Sequence, residues 1–348
     1  MKAFTNIRNG GLGLKKFWLS LLVGLIAVVM AACGGDEGSE DGSASASGEK
    51  TITLKMADNH PDDYPTVVGD KEFARLVEEK TDGKYKIEVY SGGQLGDEKS
   101  VIEQLQVGSI DLSRVNVSPV SEFSDQIGVL GLPYLFEDED HKWDILNGEI
   151  GEELLESLDD AKLVGLAYYD SGARNFYNSK RPVSKPADMK GLKIRVQQSD
   201  IFIELVKSLG ASPTPMSYDE VYSGIQTGVL DGAENNFPSY YSSNHFEVAK
   251  YYTIDQHSNV PEVVLASASL WDKLDEDAKK AFKEAAMESQ KVQREAWDKL
   301  TADSEKEILA AGNEITEIDD PAEWREAVQP LYDKHGEKYK EYLDKIKK

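Results

Sequence analysis

The pattern of apolar positions after Thr51 alternates between two periods. Apolar residues at every second position predict three strands, and apolar residues three or four positions apart predict two helices between them. In chain order these segments are TITLKMA, TVVGDKEFARLVEEKT, KYKIEVY, DEKSVIEQLQVGS and IDLSRVNV. Strands that alternate with helices are typical of a mostly parallel sheet with ligand sites beyond the carboxyl ends of its strands. The pattern therefore predicts an α/β fold.

A second series of the same kind follows. It consists of LVGLAYYD, GLKIRV, DIFIELVKSLG and VYSGIQTGVLDGAEN. Because domains commonly contain ~100–200 residues, two such series predict two lobes, and the space between two lobes is a natural ligand cleft. We expect lobe 1 to contain residues 50–172 and 261–298, and lobe 2 to contain residues 173–260 and 299–348.

Residues 275–311 contain hardly any helix breaker. Apolar residues at helical spacing among many charges predict one long surface helix that packs across both lobes. A calmodulin-type or membrane-surface helix is disfavoured, because the polar face is not basic. In the tail, Trp324, Leu331, Tyr332 and Tyr339 recur at roughly helical intervals, so we expect the tail to pack in the same way.

The N-terminus has the pattern of a secretory signal. Lys15 and Lys16 precede an apolar run from Phe17 to Met30, which small residues and Cys33 follow. The run is too short for the ~20 residues of a spanning helix, and an uncleaved anchor is disfavoured because no stop-transfer pattern follows. The segment resembles a bacterial lipoprotein signal, so we expect residues 1–32 to be removed and Cys33 to be lipidated. The protein would then be attached to the cell membrane on its outer side.

Residues 33–49 are rich in glycine, serine and acidic residues, which is typical of a flexible linker. The chain contains one cysteine, so no intrachain disulfide is possible. Its formal net charge is −24, and loss of the signal removes four basic residues and no acid. This charge disfavours nucleic acid and anionic lipid as partners. Any anion site must therefore be local and built from particular arginines.

Two segments carry such arginines. Arg195 lies at the carboxyl end of the strand GLKIRV, and its planar fork suits a carboxylate better than lysine would. Arg174 follows Gly172, where glycine allows a close backbone approach. We expect tyrosines near both segments to line the pocket, namely Tyr168, Tyr169, Tyr177, Tyr218, Tyr222, Tyr240 and Tyr241.

Asn235 and Asn236 follow an Asp-Gly turn in GVLDGAENN. Their amides suit ligand hydroxyl groups, although asparagine in such a place also commonly caps a turn. Arginine, amide and phenol together favour a pocket for a polyol or sugar acid.

Signatures of catalysis are weak in comparison. The five histidines show no metal-ligand spacing, GGQLGDEKS lacks the Gly-Lys-Ser/Thr of a phosphate loop, and no Gly-x-Ser-x-Gly elbow occurs. We therefore expect no enzyme, no metal site and no cofactor. Two alternatives stay open: a hydrolase that uses two of the many carboxylates, and a ligand-presenting partner of a membrane sensor.

The whole mature chain resembles the extracytoplasmic solute-binding proteins of tripartite ATP-independent periplasmic (TRAP) transporters, of the DctP type. The resemblance implies two α/β lobes with mixed sheets, joined by crossing strands and braced by a long helix. It also implies a membrane permease as partner, and we expect a monomer. The matching segments are EFARLVEEKTDGK, GGQLGDEKSVIEQLQVGSIDL, LPYLF, ADMKGLKIRV, LGASPTPMSYDEVYSGIQTGVLDGAEN and FEVAKYY.

The same resemblance implies a set of ligand-binding residues. In that family the arginine of the KIRV strand holds the ligand carboxylate, which assigns this role to Arg195. Asn116 stands where sialic-acid binders have an acid, which disfavours that ligand. The full set is Arg195, Arg174, Asn235 and Tyr218 from lobe 2, with Asn59, His60, Glu98 and Asn116 from lobe 1.

The ligand is expected to be a hexuronate. Asn235-Asn236 followed by Phe-Pro-Ser-Tyr, with His60 and Tyr64 near the first strand, resembles TRAP binders of hexuronic acids. D-Glucuronate or D-galacturonate would then pair its carboxylate with Arg195, while amides, His60 and Glu98 hold its hydroxyls. A C4-dicarboxylate such as succinate, malate or fumarate is the alternative, in which Arg174 pairs the second carboxylate.

Overall fold

Two mixed β-sheets organise the protein. The computed structural model describes residues 50–347. The predicted signal peptide, the linker and Cys33 lie outside the described residues. The strands are β1 (Ile52–Ala57), β2 (Tyr85–Tyr90), β3 (Leu112–Asn116), β4 (Leu163–Tyr169), β5 (Arg174–Asn178), β6 (Lys193–Val196), β7 (Ser212–Pro215), β8 (Gly232–Asn235), β9 (Tyr251–Ser258), β10 (Glu262–Ser267) and β11 (Glu314–Glu317).

Helices connect these strands and form the C-terminal part of the chain. The five segments predicted between residues 51 and 117 form β1, the first helix, β2, the second helix and β3. The helices are α1 (Pro65–Lys80), α2 (Glu98–Gln106), α3 (Val117–Val120), α4 (Glu139–Leu146), α5 (Glu149–Glu156), α6 (Asp200–Ser208), α7 (Val221–Gln226), α8 (Phe237–Ser242), α9 (His245–Val248), α10 (Ala268–Trp271), α11 (Glu276–Ala310), α12 (Pro321–Ala327), α13 (Gln329–His335) and α14 (Lys340–Ile346).

The first sheet has the strand order β2-β1-β3-β10-β4, and the second has the order β11-β9-β5-β8-β6-β7. The predicted parallel pairing holds where a helix links consecutive strands, as in β1 with β2 and β6 with β7. It fails for β10 and β5, which run antiparallel to both of their neighbours. The reason is that β4 continues into β5, and β9 into β10, from one sheet to the other without a crossover helix. Both sheets are therefore mixed.

Helix α11 spans both sheets, as the apolar spacing predicts. Asp275 caps its start by accepting a hydrogen bond from the backbone N–H of Ala278 at 2.8 Å. Phe282 packs in the core of the first sheet with α1 and β4, whereas Ile308 packs in the core of the second sheet. The lobe boundaries given above stay a prediction. None of the helices in residues 50–347 has the length and apolarity needed to cross a bilayer.

The C-terminal helices share a core with parts of both sheets. Trp324 of α12 is fully buried and stacks on Phe176 of β5, with ring centroids 6.2 Å apart. Helix α13 contacts α6, and α14 contacts α5. The prediction that the tail packs across both series of elements is confirmed.

Gly172, in the crossing from β4 to β5, lies against α11. Its φ is +56°, and a Cβ built there would come within 3.0 Å of Trp297 Nε1. The left-handed conformation and the close contact both require glycine. This residue therefore sets how tightly the crossing segment packs on the bracing helix.

We expect Gly172→Ala to lower the free energy of unfolding by about 1–3 kcal/mol, because the new methyl group adds a steric clash to the backbone strain. Gly191→Ala is the matched control, since Gly191 has a φ of +82° but nothing within 4 Å of a built Cβ. Urea denaturation measures both variants. Equal losses in the two variants would show that the Trp297 contact is not the constraint.

Candidate ligand-binding site

A narrow cavity lies where the two sheets face each other. The structure brings all eight of the predicted binding residues to its wall, together with four others, of which the sequence had indicated Asn236 as a further candidate. The lining residues are Asn59, His60, Glu98, Asn116, Arg174, Arg195, Gln197, Tyr218, Asn235, Asn236, Ser239 and Glu262.

Arg195 presents an unpaired guanidinium to this cavity. The residue is 5% exposed, and its Nε donates a hydrogen bond to the carbonyl of Met216 at 2.9 Å, which fixes the plane of the group. Its Nη1 and Nη2 have no hydrogen-bond partner within residues 50–347. Burial, and then the nearby positive charge of Arg174, lower the pKa of Arg195. An anion bound here would supply the missing partner.

Arg174 differs, because its charge is neutralised inside the protein. Its Nε and Nη2 donate to the two carboxylate oxygens of Glu234 at 2.5 and 3.0 Å. Burial acts to raise the pKa of Glu234, but the charges of Arg174 and His257 hold that pKa below its usual value. Glu234 lies in the DGAEN segment from which the sequence analysis selected Asn235 alone. The structure adds it as the partner of the second arginine.

His257 continues this ionic chain into the second sheet. Its Nδ1 lies 2.8 Å from Asp255 Oδ2, and its Nε2 lies 3.5 Å from Glu234 Oε2. Burial alone would lower the pKa of His257, but the two carboxylates raise it to about 9. Arg174 and His257 thus balance Glu234 and Asp255. Arg195 is left as the unpaired charge on this side of the cavity.

Arg114 organises the opposite wall, and the sequence analysis missed it. It is fully buried in β3 and donates to three carboxylates, those of Asp58, Glu98 and Glu262. Both Glu98 Oε1 and Glu262 Oε2 lie within 3.0 Å of its Nη1. The one available signal was an arginine in the predicted strand IDLSRVNV, and every residue of β3 is buried. This wall therefore carries more negative than positive charge.

The predicted residues of this wall differ in how many polar atoms they leave unpaired. His60 Nδ1 accepts from Arg114 at 2.5 Å, so its Nε2 carries the proton. Asn59 Oδ1 accepts a hydrogen bond from Arg114. Glu98 Oε1 accepts hydrogen bonds from Arg114 and from the backbone N–H of Asn116. Asn59 Nδ2, His60 Nε2 and Glu98 Oε2 have no partner in the described part of the chain. Each can therefore contact a ligand.

Asn116 is held more firmly by the protein itself. Its Oδ1 caps α3 by accepting from the N–H of Ser118 at 2.9 Å, and its Nδ2 donates to Glu262 Oε1 at 2.8 Å. The residue lines the cavity, as predicted. Its main visible role is to orient Glu262.

Asn235 follows the Asp-Gly segment as part of a strand. It is the last residue of β8, and its Oδ1 accepts from the N–H of Asn236 at 3.0 Å, which leaves Nδ2 without a partner among the described residues. Asn236 takes the capping role that was considered for both asparagines, since its Oδ1 accepts from the N–H of Ser239 at the start of α8. Pairing of β8 with β5 extends the sheet through Asn235.

Most of the tyrosines expected in the pocket are elsewhere. Tyr218 lines the cavity, and its hydroxyl donates to the carbonyl of Ser239 at 3.2 Å. The others do not line it, because packing directs their rings into the core or toward the surface. Their hydroxyl partners are Gly151 for Tyr168, Ser289 for Tyr169, His245 for Tyr177, Glu247 for Tyr222 and Ala249 for Tyr240, while Tyr241 stacks on Phe246.

Side chains from the two sides meet around the cavity. The Tyr64 hydroxyl lies 2.7 Å from Ser239 Oγ, and the Tyr64 ring stacks on His60 with centroids 4.0 Å apart. Further along the cleft, Glu122 Oε1 accepts a hydrogen bond from the N–H of Asp200 at the start of α6, at 2.9 Å. These contacts join the two sides of the cleft.

The polar cavity lies between the two sheets, and the Nη atoms of its buried Arg195 have no partner among the described residues. This arrangement is typical of a solute-binding protein. Residues 56–339 match the DctP family, which is described as bacterial extracellular solute-binding protein, family 7. The chain belongs to this family of extracytoplasmic proteins, which work with TRAP permease components.

Individual relatives agree with this assignment. The solved TRAP periplasmic solute-binding protein of Bradyrhizobium sp. BTAi1, in complex with α/β-D-galacturonate, is 44% identical with a TM-score of 0.83 over 85% of this chain and 99% of its own. That of Citrobacter koseri, with bound D-glucuronate, is 41% identical with a TM-score of 0.83 over 85% and 99%. A solute-binding protein of Chromohalobacter salexigens is 39% identical over 282 residues, which is 81% of this chain and 84% of its own. The predicted family and two-sheet α/β fold are confirmed.

The ionic chain of the second sheet predicts a pH effect on stability. The pKa of His257 is about 9 in the folded protein and ~6.5 in an unfolded chain. The stabilisation that protonated His257 gives to the folded state is therefore complete below pH ~6.5. It is lost as the pH rises toward 9. We expect the wild-type protein to be more stable than His257→Gln by up to about 3 kcal/mol at pH 6, and by much less at pH 9.

Urea denaturation across this pH range measures that difference. His245→Gln is the control, because burial lowers the pKa of His245 to about 3 and the residue is neutral in both states above pH 7. Its effect on stability should not change between pH 7 and pH 9. A His257→Gln effect that is equally constant would contradict the charged state of His257.

Proposed function

We propose that this protein captures a hexuronate, D-glucuronate or D-galacturonate, outside the cytoplasmic membrane and delivers it to a TRAP permease. One observation carries the proposal: an arginine with unpaired Nη groups lies across the cavity from a wall rich in carboxylates. Such a cavity suits a ligand with one carboxylate and several hydroxyls. The bound uronates of the two solved relatives support the same ligand class.

Charge distinguishes this ligand from a dicarboxylate. A carboxylate at Arg195 gains charge-assisted hydrogen bonds, whereas a second carboxylate would meet Glu98 and Glu262 on the opposite wall. Hydroxyl groups can instead donate to these acceptors. The distribution of charge therefore favours a sugar acid.

The dicarboxylate alternative also needs a second arginine that can pair a carboxylate through two nitrogens. Arg174 is bonded through two nitrogens to Glu234, and breaking a buried ion pair typically costs about 3–5 kcal/mol. We propose that Arg174 keeps Glu234 and offers its remaining Nη1 to the ligand. Under this proposal Asn235 Nδ2, Asn59 Nδ2 and His60 Nε2 donate to ligand oxygens, and Glu98 Oε2 accepts from a hydroxyl. Tyr218 forms part of the wall.

We propose that the protein binds by closure of two lobes. Lobe 1 would contain the first sheet and lobe 2 the second, with the residue boundaries predicted from the sequence. The crossing segments after β4 and β9 would act as the hinge, and the Tyr64–Ser239 and Glu122–Asp200 contacts would form on closure. Cys33 would carry a lipid anchor, residues 33–49 would act as a linker, and the protein would function as a monomer without catalysis. Turnover of a bound uronate by the purified protein would contradict the last point.

A thermal-shift screen of uronates, aldonates and C4-dicarboxylates tests the ligand class. A ligand at about 100 times its Kd stabilises the folded state by ~2.7 kcal/mol, so we expect D-glucuronate or D-galacturonate to raise the Tm. Succinate, malate and fumarate should leave it unchanged. A shift produced by dicarboxylates alone would eliminate the uronate proposal.

Arg195→Ala tests the carboxylate contact. Loss of one partner of a buried charge pair costs about 2–5 kcal/mol, so we expect the Kd for the uronate to rise by a factor of tens to thousands. Calorimetry measures the change. Arg75→Ala is the control, because Arg75 is exposed on α1 and pairs with Glu72 and Glu79. An Arg195→Ala Kd equal to that of the wild type would remove Arg195 from the site.

A further inference from the structure

Gln197 is a buried polar residue whose side chain lacks a protein partner. It lies two residues after Arg195, just beyond the end of β6, and is 7% exposed. Its side-chain amide makes no hydrogen bond to any residue in the range 50–347, and its Oε1 is inaccessible to water. Buried amides are rarely left in this state, so the missing partner requires an explanation.

The backbone at Gln197 is held in a turn. The carbonyl of Gln197 accepts a hydrogen bond from the N–H of Ser199 at 2.8 Å, which forms a tight turn between β6 and α6. The side chain lines the cavity beside Arg195 and also the extension of that cavity toward the mouth of the cleft. The turn therefore fixes the Gln197 backbone at the cavity wall.

The spacing between Gln197 and Arg195 matches the size of a sugar ring. Residues two apart in extended chain lie on the same face and are separated by roughly 6.6 Å along the strand. If Arg195 fixes the carboxylate, Gln197 reaches a polar group on the far part of the ligand. On a uronate that group is a ring hydroxyl, which can both donate to and accept from an amide.

We propose that Gln197 is a specificity-determining residue that hydrogen-bonds a ring hydroxyl of the bound uronate. This inference rests on the proposed function and deepens it. A ligand that lacks this hydroxyl would leave the buried amide unpaired, and sites built to bond a hydroxyl reject such analogues strongly. The residue therefore selects for a hydroxylated sugar acid among acids that Arg195 alone would accept.

Gln197→Leu, which replaces the amide by an apolar group of similar size, tests this role. Calorimetry would compare D-glucuronate and D-galacturonate with their 2-, 3- and 4-deoxy analogues on wild-type protein and variant. We expect Gln197→Leu to raise the Kd for the parent uronates about tenfold to a hundredfold. One deoxy analogue should bind the wild type more weakly by a similar factor, and Gln197→Leu should no longer discriminate against it.

Two further variants separate recognition from structure. Gln197→Met, which is unbranched, should show the same loss of discrimination, and the Tm of both ligand-free variants should equal or exceed that of the wild type. Gln198→Leu is the matched control, because Gln198 is half-buried and lines only the outer extension of the cavity. Its Kd for the parent uronates should stay within about twofold of the wild type, below the threshold of a lost hydrogen bond.

The outcomes distinguish this inference from the proposed function. A wild-type protein that binds no uronate refutes the proposed function itself. Uronate binding that is unchanged in Gln197→Leu leaves the proposed function intact and overturns the role of Gln197. If Gln197→Leu raises the Kd of the parent uronates and of every deoxy analogue by the same factor, the proposed role of Gln197 is also overturned. The residue would then support the shape of the cavity without bonding a particular hydroxyl.

Discussion

The buried ion pair between Arg174 and Glu234 determines how much unpaired positive charge one wall of the cavity presents. Two arginines line the wall that β5, β6 and β8 form, and without Glu234 both would attract anions. Glu234 takes up the charge of Arg174 through two hydrogen bonds, and His257 and Asp255 complete a balanced ionic chain behind it. Arg195 is therefore left as the arginine of this wall without an acid partner among residues 50–347. The number of carboxylates that the cavity favours follows from this pairing.

The opposite wall complements this arrangement. Arg114 is surrounded by three carboxylates, so its charge cannot neutralise them all, and Glu98 and Glu262 keep acceptor character toward the cavity. A positive group on one side and acceptors on the other suit a ligand that has a carboxylate at one end and hydroxyls around its remainder. The burial that makes unpaired charges costly also makes each of these contacts selective.

The fold allows these two walls to meet. Two strand connections cross between the sheets, and α11 packs on elements of both, so residues distant in sequence face each other across a short gap. Gly172 lets the first crossing pack against Trp297 of α11. Tyr64 stacks on His60 of the first wall, and its hydroxyl is hydrogen-bonded to Ser239 of the second. His60 and Ser239, which line the cavity, therefore also take part in the contacts of Tyr64.

The sequence by itself determined the alternation of strands and helices from β1 to β3, the long helix α11 and the eight predicted residues that line the cavity. Periodicity, strand ends and a family resemblance carry this information locally. Only the tertiary structure decided the antiparallel crossing strands, the partner of Arg174, the central position of Arg114 and the burial of most tyrosines. These features depend on which strands become neighbours: Arg114 and Glu262 are 148 positions apart, and Arg174 and Glu234 are 60 apart. A local pattern shows that a side chain faces inward, but the charge that it meets there depends on a strand from elsewhere in the chain.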